Sequence, residues 1–220
     1  MTILIDVDNT LLDFDKCANE SISLSCKEFG IDKANELCSI FHPFNLSLWQ
    51  QLERGELTMD ELLEKRFNTL FEKLGIQADG IAFEKSFHAG LANSAVPVDG
   101  AKELLKYLSE KYDVYVASNA PLGQQTTRLK KAGFDKYIKG YFVSAEIGYL
   151  KPNQEFFDAC FEKLGKSPRD TVMIGDSLTA DINGARTYGL KTIWFDKYKS
   201  KKTADCDYTV TSLLQIKDIL

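Results

Sequence analysis

Two carboxylates, Asp6 and Asp8, stand two residues apart at the end of a short apolar run that begins at Ile3. If Ile3–Val7 is a strand, its side chains alternate in direction, so Asp6 and Asp8 project the same way from its end. That end faces the crevice where open α/β sheets bind ligands. Like charges brought that close raise each other's pKa unless a cation holds them, so the pair calls for a metal. A carboxylate can also attack phosphorus to give an acyl-phosphate, while its neighbour handles the proton of the leaving group. Alone, the same pattern arises where one Asp caps the next helix and the other is solvated.

Three further clusters accompany it. Val114–Ala117 runs into Ser118-Asn119, a hydroxyl and an amide at a second strand end. Lys151-Pro152 follows a third apolar run and precedes a helical pattern. Val172–Ile174 leads into Gly175-Asp176-Ser177-Leu178-Thr179-Ala180-Asp181, adding two carboxylates at a fourth strand end. Ser and Asn are common helix caps, and a loop lysine is ordinarily a solvated charge. Chance caps do not supply four carboxylates, a hydroxyl and a lysine, each directly after a strand, on one edge of a sheet.

The elements that must position these groups are legible as two regimes. Ile3–Val7, Val114–Ala117, Phe142–Val143, Val172–Ile174, Thr192–Phe195 and, more weakly, Tyr208–Val210 are short runs rich in β-formers. Helical patterns separate them at Ala101–Tyr112, Gln124–Lys131, Glu155–Leu164 and Ala180–Tyr188, and Gly133, Gly165 and Gly189 stand where left-handed caps are wanted. The expectation is an α/β fold, a Rossmann-like parallel sheet with helices on both faces. From about Asp15 to Asn93 the strand signal disappears. Cys17–Phe29 reads as a helix stopped by Gly30, Thr58-Met59-Asp60-Glu61 has the form of a capping box, and Ile81–Leu91 suggests another helix. So long a connection between neighbouring strands indicates an inserted all-α domain. We therefore divide the chain into an α/β core at 1–14 and 94–220 and a helical domain at 15–93. Phe14-Asp15 and Asn93–Gly100 serve as hinges.

Composition bounds the partners. The chain has 220 residues, 44% hydrophobic and 27% charged, with net charge -5. That length builds a sizeable core without disulfide or metal staples, and the negative balance argues against nucleic acid or an acidic membrane as partner. An anionic small substrate must then be held by local cations, dipoles or a metal. Five cysteines without C-x-x-C spacing or a neighbouring His read as reduced, mostly buried thiols. No apolar stretch approaches the ~20 residues that span a bilayer, and Met1–Ile5 runs into Asp6 without the plan of a signal peptide. The expectation is a cytoplasmic protein, with monomer and homodimer both open.

The four strand-end clusters, in this order, resemble the four motifs of the haloacid dehalogenase-like (HAD) superfamily. The likeness covers essentially the whole chain, and the insertion after the first cluster matches the subclass with a helical cap. The resemblance implies Asp6 as nucleophile and Asp8 as general acid and base. It implies Mg²⁺ held by the Asp6 carboxylate, the Asp8 backbone carbonyl and Asp176, an all-oxygen site suited to a hard cation. Asp181 would orient the metal's waters or Lys151, and Ser118, the Asn119 backbone N–H and Lys151 would stabilise charge on the phosphoryl oxygens. Phe14-Asp15, Leu48-Trp49, Gly55, Gln125 with Arg128-Leu129, Lys151-Pro152-Asn153 and Phe156-Phe157-Asp158 are similar to the pyrimidine nucleotidase branch. That branch often carries Gly where Ala120 stands here. It implies a phosphatase acting on a pyrimidine nucleoside monophosphate, with Phe14 and Trp49 as candidates for stacking on the base.

Phosphoglycolate or sugar-phosphate hydrolysis, a β-phosphoglucomutase-like phosphomutase and a non-catalytic module on the same fold are the alternatives. A dehalogenase needs neither Asp8 nor Asp176. Trp194 reads as core, Asn9 as a loose variant and Lys197–Lys202 as a solvated loop. His42 and His88 have no spacing to a second ligand.

Overall fold

The computed structural model describes residues 1–200 and 202–220. Six parallel strands form one sheet: β1 (Thr2–Ile5), β2 (Asp113–Ser118), β3 (Gly140–Val143), β4 (Thr171–Gly175), β5 (Lys191–Phe195) and β6 (Tyr208–Val210). Their spatial order is β3-β2-β1-β4-β5-β6. Nine α-helices are described: α1 (Phe14–Glu28), α2 (Ala34–Glu53), α3 (Met59–Leu74), α4 (Gly80–Asn93), α5 (Ala101–Lys111), α6 (Leu122–Lys131), α7 (Ser144–Ile147), α8 (Gln154–Leu164) and α9 (Gly184–Tyr188). A π-helical stretch, Leu178–Asn183, leads into α9. The sequence pattern predicts one continuous helix from Ala180, and the widened turn is what differs. Among the described residues, no helix is long and apolar enough to cross a membrane.

The chain divides into two compact units, Met1–Asp13 with Val96–Leu220, and Phe14–Ala95. In the first, alternation along the strands fills both faces of the sheet. Ile3, Ile5, Val114, Val116, Val172 and Ile174 pack with Leu104, Leu105 and Leu108 of α5. Leu4, Ala117 and Met173 face the other way, onto Phe156, Phe157, Cys160 and Ala185. Period-two side-chain direction turns near-continuous apolar runs into two cores.

Register then levels the strand ends. Ile5 pairs with Val116 on one side and Ile174 on the other, so Asp6, Ser118 and Asp176 each follow within a residue or two of one line. The chain passes from β1 to β2 and β3 on one side, then crosses to β4 on the other. Such a reversal opens the crevice in which open α/β sheets bind ligands.

The second unit is all helical. Thr58 and Glu61 form the reciprocal capping box at the start of α3, and Gly75 ends that helix in the left-handed conformation. Phe41, Phe67, Phe83 and Phe87 meet at its centre with ring centroids 4.7–5.6 Å apart. Helix α2 has no counterpart in the sequence reading, because Pro43 and the polar Asn45 interrupt its pattern. Its buried residues nonetheless fall at Leu37, Phe41, Asn45, Leu48 and Leu52, a helical stripe with one polar member.

Candidate active site

Asp6, Ser118 and Asp176 lie at the ends of β1, β2 and β4, whereas Lys151, expected directly after the third strand, comes only after the short helix α7, and Asp181 lies in the π-helical stretch. Pairing along β1 continues one residue past the strand, with Asp6 N donating to Ile174 O at 2.9 Å. The backbone then turns. Val7 O accepts the amides of Leu11 and Leu12, both at 2.8 Å, and Asn9 adopts φ 60°. Because the strand stops at Ile5, alternation no longer governs Asp8. The two carboxylates predicted to project together engage different partners: Asp6 meets Lys151, whereas Asp8 meets Arg128 and Gln125.

Lys151 is the hub of the buried charges. Its Nζ donates to Asp6 Oδ1 at 2.9 Å, Asp181 Oδ1 at 2.6 Å and Ala117 O at 2.6 Å, so all three of its N–H bonds are committed. Burial works against its charge, but Asp181 and Asp6 outweigh it and hold the ammonium above its ordinary pKa. Asn119 fixes the lysine's backbone from both sides, its Nδ2 donating to Lys151 O at 2.9 Å and its Oδ1 accepting from Lys151 N at 2.8 Å. Ser118 Oγ accepts from Ala120 N at 3.2 Å and from Gln125 Nε2 at 3.0 Å. With two acceptor sites filled, its O–H is left to donate outward.

The fourth cluster is organised around Gly175. A Cβ there would lie 2.1 Å from Asp181 Oδ2, so only glycine lets that carboxylate come against the strand end. Asp181 Oδ2 also accepts from Ser177 N at 3.0 Å. Both Asp181 oxygens are therefore engaged within the chain. Trp194 of β5 donates from Nε1 to Asp176 O at 2.9 Å, pinning the segment that carries Asp176.

Oxygens of Asp6, Asp176 and Asp181 lie within 4.8 Å of one another. Burial pushes the Asp6 carboxyl up to about 7, opposed by Lys151 and reinforced by Asp181 and Asp8. Burial, then Asp6 and Asp181, push Asp176 well above the usual carboxylate range. Three carboxylates around one ammonium leave negative charge uncompensated, and oxygen-only donors of this kind suit a hard cation. The residues present fit such an ion. The side chains assembled are Asp6, Asp176 and Asp181; Asp8, expected to offer its backbone carbonyl, turns its side chain to Arg128 and Gln125.

A family model described as haloacid dehalogenase-like hydrolase matches residues 1–189. The chain belongs to the haloacid dehalogenase-like hydrolase family. It is 35% identical over 196 residues to YfnB of Bacillus subtilis, named a HAD-hydrolase, covering 89% of this chain and 83% of YfnB. It is 34% identical over 222 residues to PynA of Streptococcus pneumoniae, named a pyrimidine 5'-nucleotidase, covering 99% of this chain and 94% of PynA. A crystal structure of YfnB, described as bound to magnesium, matches with TM-score 0.93 and 33% identity over 100% of this chain and 97% of that one.

In this hydrolase the two candidate stacking residues lie in the helical unit. Phe14 is half-buried and stacks on Phe41 with centroids 6.5 Å apart, and Trp49 is half-buried on α2. Several polar contributors had no signal in the sequence. By sequence Lys197 belongs to a solvated loop, yet its Nζ donates to Asn9 Oδ1 at 2.6 Å and Asp13 Oδ1 at 2.9 Å; Lys201 of that run lies outside the described residues. Trp194 is core, as expected, but its indole N–H also serves the site. Gln125 and Arg128 were visible only as family markers. Their burial at i and i+3 on α6 is the pattern that could have drawn attention to them.

Proposed function

We propose that this hydrolase is a magnesium-dependent phosphatase that releases phosphate from a small monoester through an aspartyl-phosphate at Asp6. The observation that carries this reading is the Asp6, Asp176 and Asp181 oxygen cluster with a buried lysine bound to two of its members. Lys151 takes Asp6 Oδ1 and leaves Oδ2 to attack phosphorus in line with the leaving oxygen. As the Oδ2–P bond forms and the P–O bond to the leaving group breaks, Asp8 delivers a proton to that oxygen. Asp8 then accepts a proton from the water that cleaves the acyl-phosphate. The Ser118 hydroxyl and the Asn119 backbone N–H donate to the phosphoryl oxygens. Lys151, with its donors committed, acts by fixing Asp6 and by its charge. Bound Mg²⁺ would supply neutralisation of the carboxylates and of the phosphoryl group. Asp6, Asp176 and the Asp8 carbonyl would hold it, with Asp181 supporting from behind.

The substrate we propose is a pyrimidine nucleoside monophosphate, supported by the similarity to PynA over nearly the full length of both chains. The five thiols, all free, support a cytoplasmic setting. The test is phosphate release by the purified protein from pyrimidine and purine nucleoside monophosphates, phosphoglycolate and hexose phosphates, with Mg²⁺ or excess chelator. Chelation should abolish turnover and Mg²⁺ restore it, while Ca²⁺ inhibits through its larger and less regular coordination shell. Full activity in chelator rejects the metal, and preference for phosphoglycolate or a hexose phosphate rejects the nucleotide alone.

A further inference from the structure

Asp8 is held by two side chains that the mechanism above does not use. Its Oδ1 accepts from Arg128 Nη1 at 2.5 Å and its Oδ2 from Gln125 Nε2 at 2.7 Å. Both donors come from one face of α6 and both are fully buried. Arg128 Nη1 also reaches Gln125 Oε1 at 3.3 Å. This contact fixes the amide with its nitrogen toward the carboxylate, since the flipped amide would set oxygen against oxygen at Asp8 and nitrogen against the guanidinium. The same Gln125 Nε2 donates to Ser118 Oγ at 3.0 Å. One amide nitrogen therefore spans the proposed proton-transfer group and the hydroxyl proposed to bind the phosphoryl group.

We infer that Gln125 and Arg128 are positioning residues for Asp8: the pair holds its carboxylate in one orientation beside Ser118, at the place where the leaving oxygen must be protonated. Past the end of β1 no strand constrains the Asp8 side chain, and it is half-exposed. As a carboxylate Asp8 supplies the counter-charge that the buried guanidinium requires, and as the neutral acid it can keep both contacts, because each carboxyl oxygen has a further lone pair to carry the proton. The contact therefore orders the carboxylate from within the folded core before substrate arrives. Such pre-organisation is what makes a proton-transfer group effective. This inference rests on the reading of Asp8 as general acid and base.

The test compares substrates that do and do not need the proton. Gln125→Met, Arg128→Lys and Arg128→Met are assayed with a nucleoside monophosphate, whose alkoxide leaves poorly, and with 2,4-dinitrophenyl phosphate, whose phenolate leaves unaided. Loss of a general acid costs on the order of 10²-fold or more. In kcat/KM, which reports only as far as phosphorylation of Asp6 and so excludes the water step common to both substrates, Gln125→Met and Arg128→Met should lose on that order with the nucleotide and only a few-fold with the aryl ester, with Arg128→Lys between. In an Asp8→Asn background the same substitutions should cost nothing further with the nucleotide. Equal losses on both substrates, or full additivity with Asp8→Asn, overturn the inference and make the pair structural or phosphate-binding. Should Arg128→Met not fold, Gln125→Met and Arg128→Lys carry the same comparison. If Asp8→Asn itself shows no preference between the substrates, the reading of Asp8 has failed. If it does and the α6 variants do not, the inference alone has failed.

Discussion

Two of the buried cations, one taken from each unit, differ in a way that separates structure from chemistry. Arg66 in the helical unit is matched. Its Nε donates to Glu84 Oε2 at 2.9 Å, a second nitrogen bonds Glu84 Oε1, and Nη1 donates to Asn45 Oδ1 at 2.8 Å. Its guanidinium carbon also lies 5.2 Å from the Phe87 ring centroid. One cation faces one carboxylate, and although burial opposes it, hydrogen bonds from His88 and Arg66 hold Glu84 below its usual pKa. Lys151 in the α/β unit also has every donor placed, yet it sits among three carboxylates, two of which are driven upward. A balanced network rigidifies a core. An unbalanced one stores a demand for positive charge, which is what a metal and a phosphoryl-transfer site need.

The comparison is broken most severely at Asp6. Asp6→Asn should lower kcat at least about a thousandfold, worth ~4 kcal/mol of transition-state stabilisation, because an amide cannot form the acyl-phosphate. Its Tm in chelator should equal or exceed that of the wild type, since a carboxylate disfavoured by burial is removed. More than a few per cent residual turnover in a purified sample would refute covalent catalysis by Asp6.

Glu84→Gln should do the reverse. It strands the Arg66 charge, at a cost of about 3–5 kcal/mol measured by denaturant unfolding at neutral pH, with kcat/KM per folded molecule little changed. The pH dependence has a definite sign. Because Glu84 is held below its ordinary value of 4.5, its contribution is fully present above that pH and is lost as pH falls through the lower folded value. The gap between wild type and variant should narrow below pH 4.5. A gap constant down to acid unfolding would mean that the ion pair is not what stabilises the helical unit.

The smallest effect is expected at the half-buried rings. Trp49→Ala should reduce kcat/KM for a pyrimidine nucleotide by about 1–3 kcal/mol, the scale of base stacking, and leave a small aryl phosphate nearly unaffected. Phe14→Ala should add a stability loss, because Phe14 packs on Phe41. Uniform loss over both substrates would assign the two rings to packing alone.

Much of this molecule is legible in its sequence. Strand periodicity predicts the parallel sheet, because alternation follows from local sequence, and the polar clusters after the runs carry the resemblance to the family whose model matches. Helix α2 was not legible, since its apolar stripe passes through Asn45, whose burial makes sense only beside Arg66 from α3. The role of Lys197 was hidden for a similar reason: its partners Asn9 and Asp13 lie at the other end of the chain.

What the sequence determined by itself was the strands and the polar groups that follow them, because alternation and capping act over a few residues. Only the tertiary structure decided how those groups share their partners. Asp8 turns to Gln125 and Arg128 because β1 has already ended. Asp181 reaches the strand end because Gly175 has no side chain in its way. Lys151 spends its three donors on Asp6, Asp181 and Ala117. Each of these outcomes depends on distances between residues far apart in the chain, and local sequence carries no record of those distances.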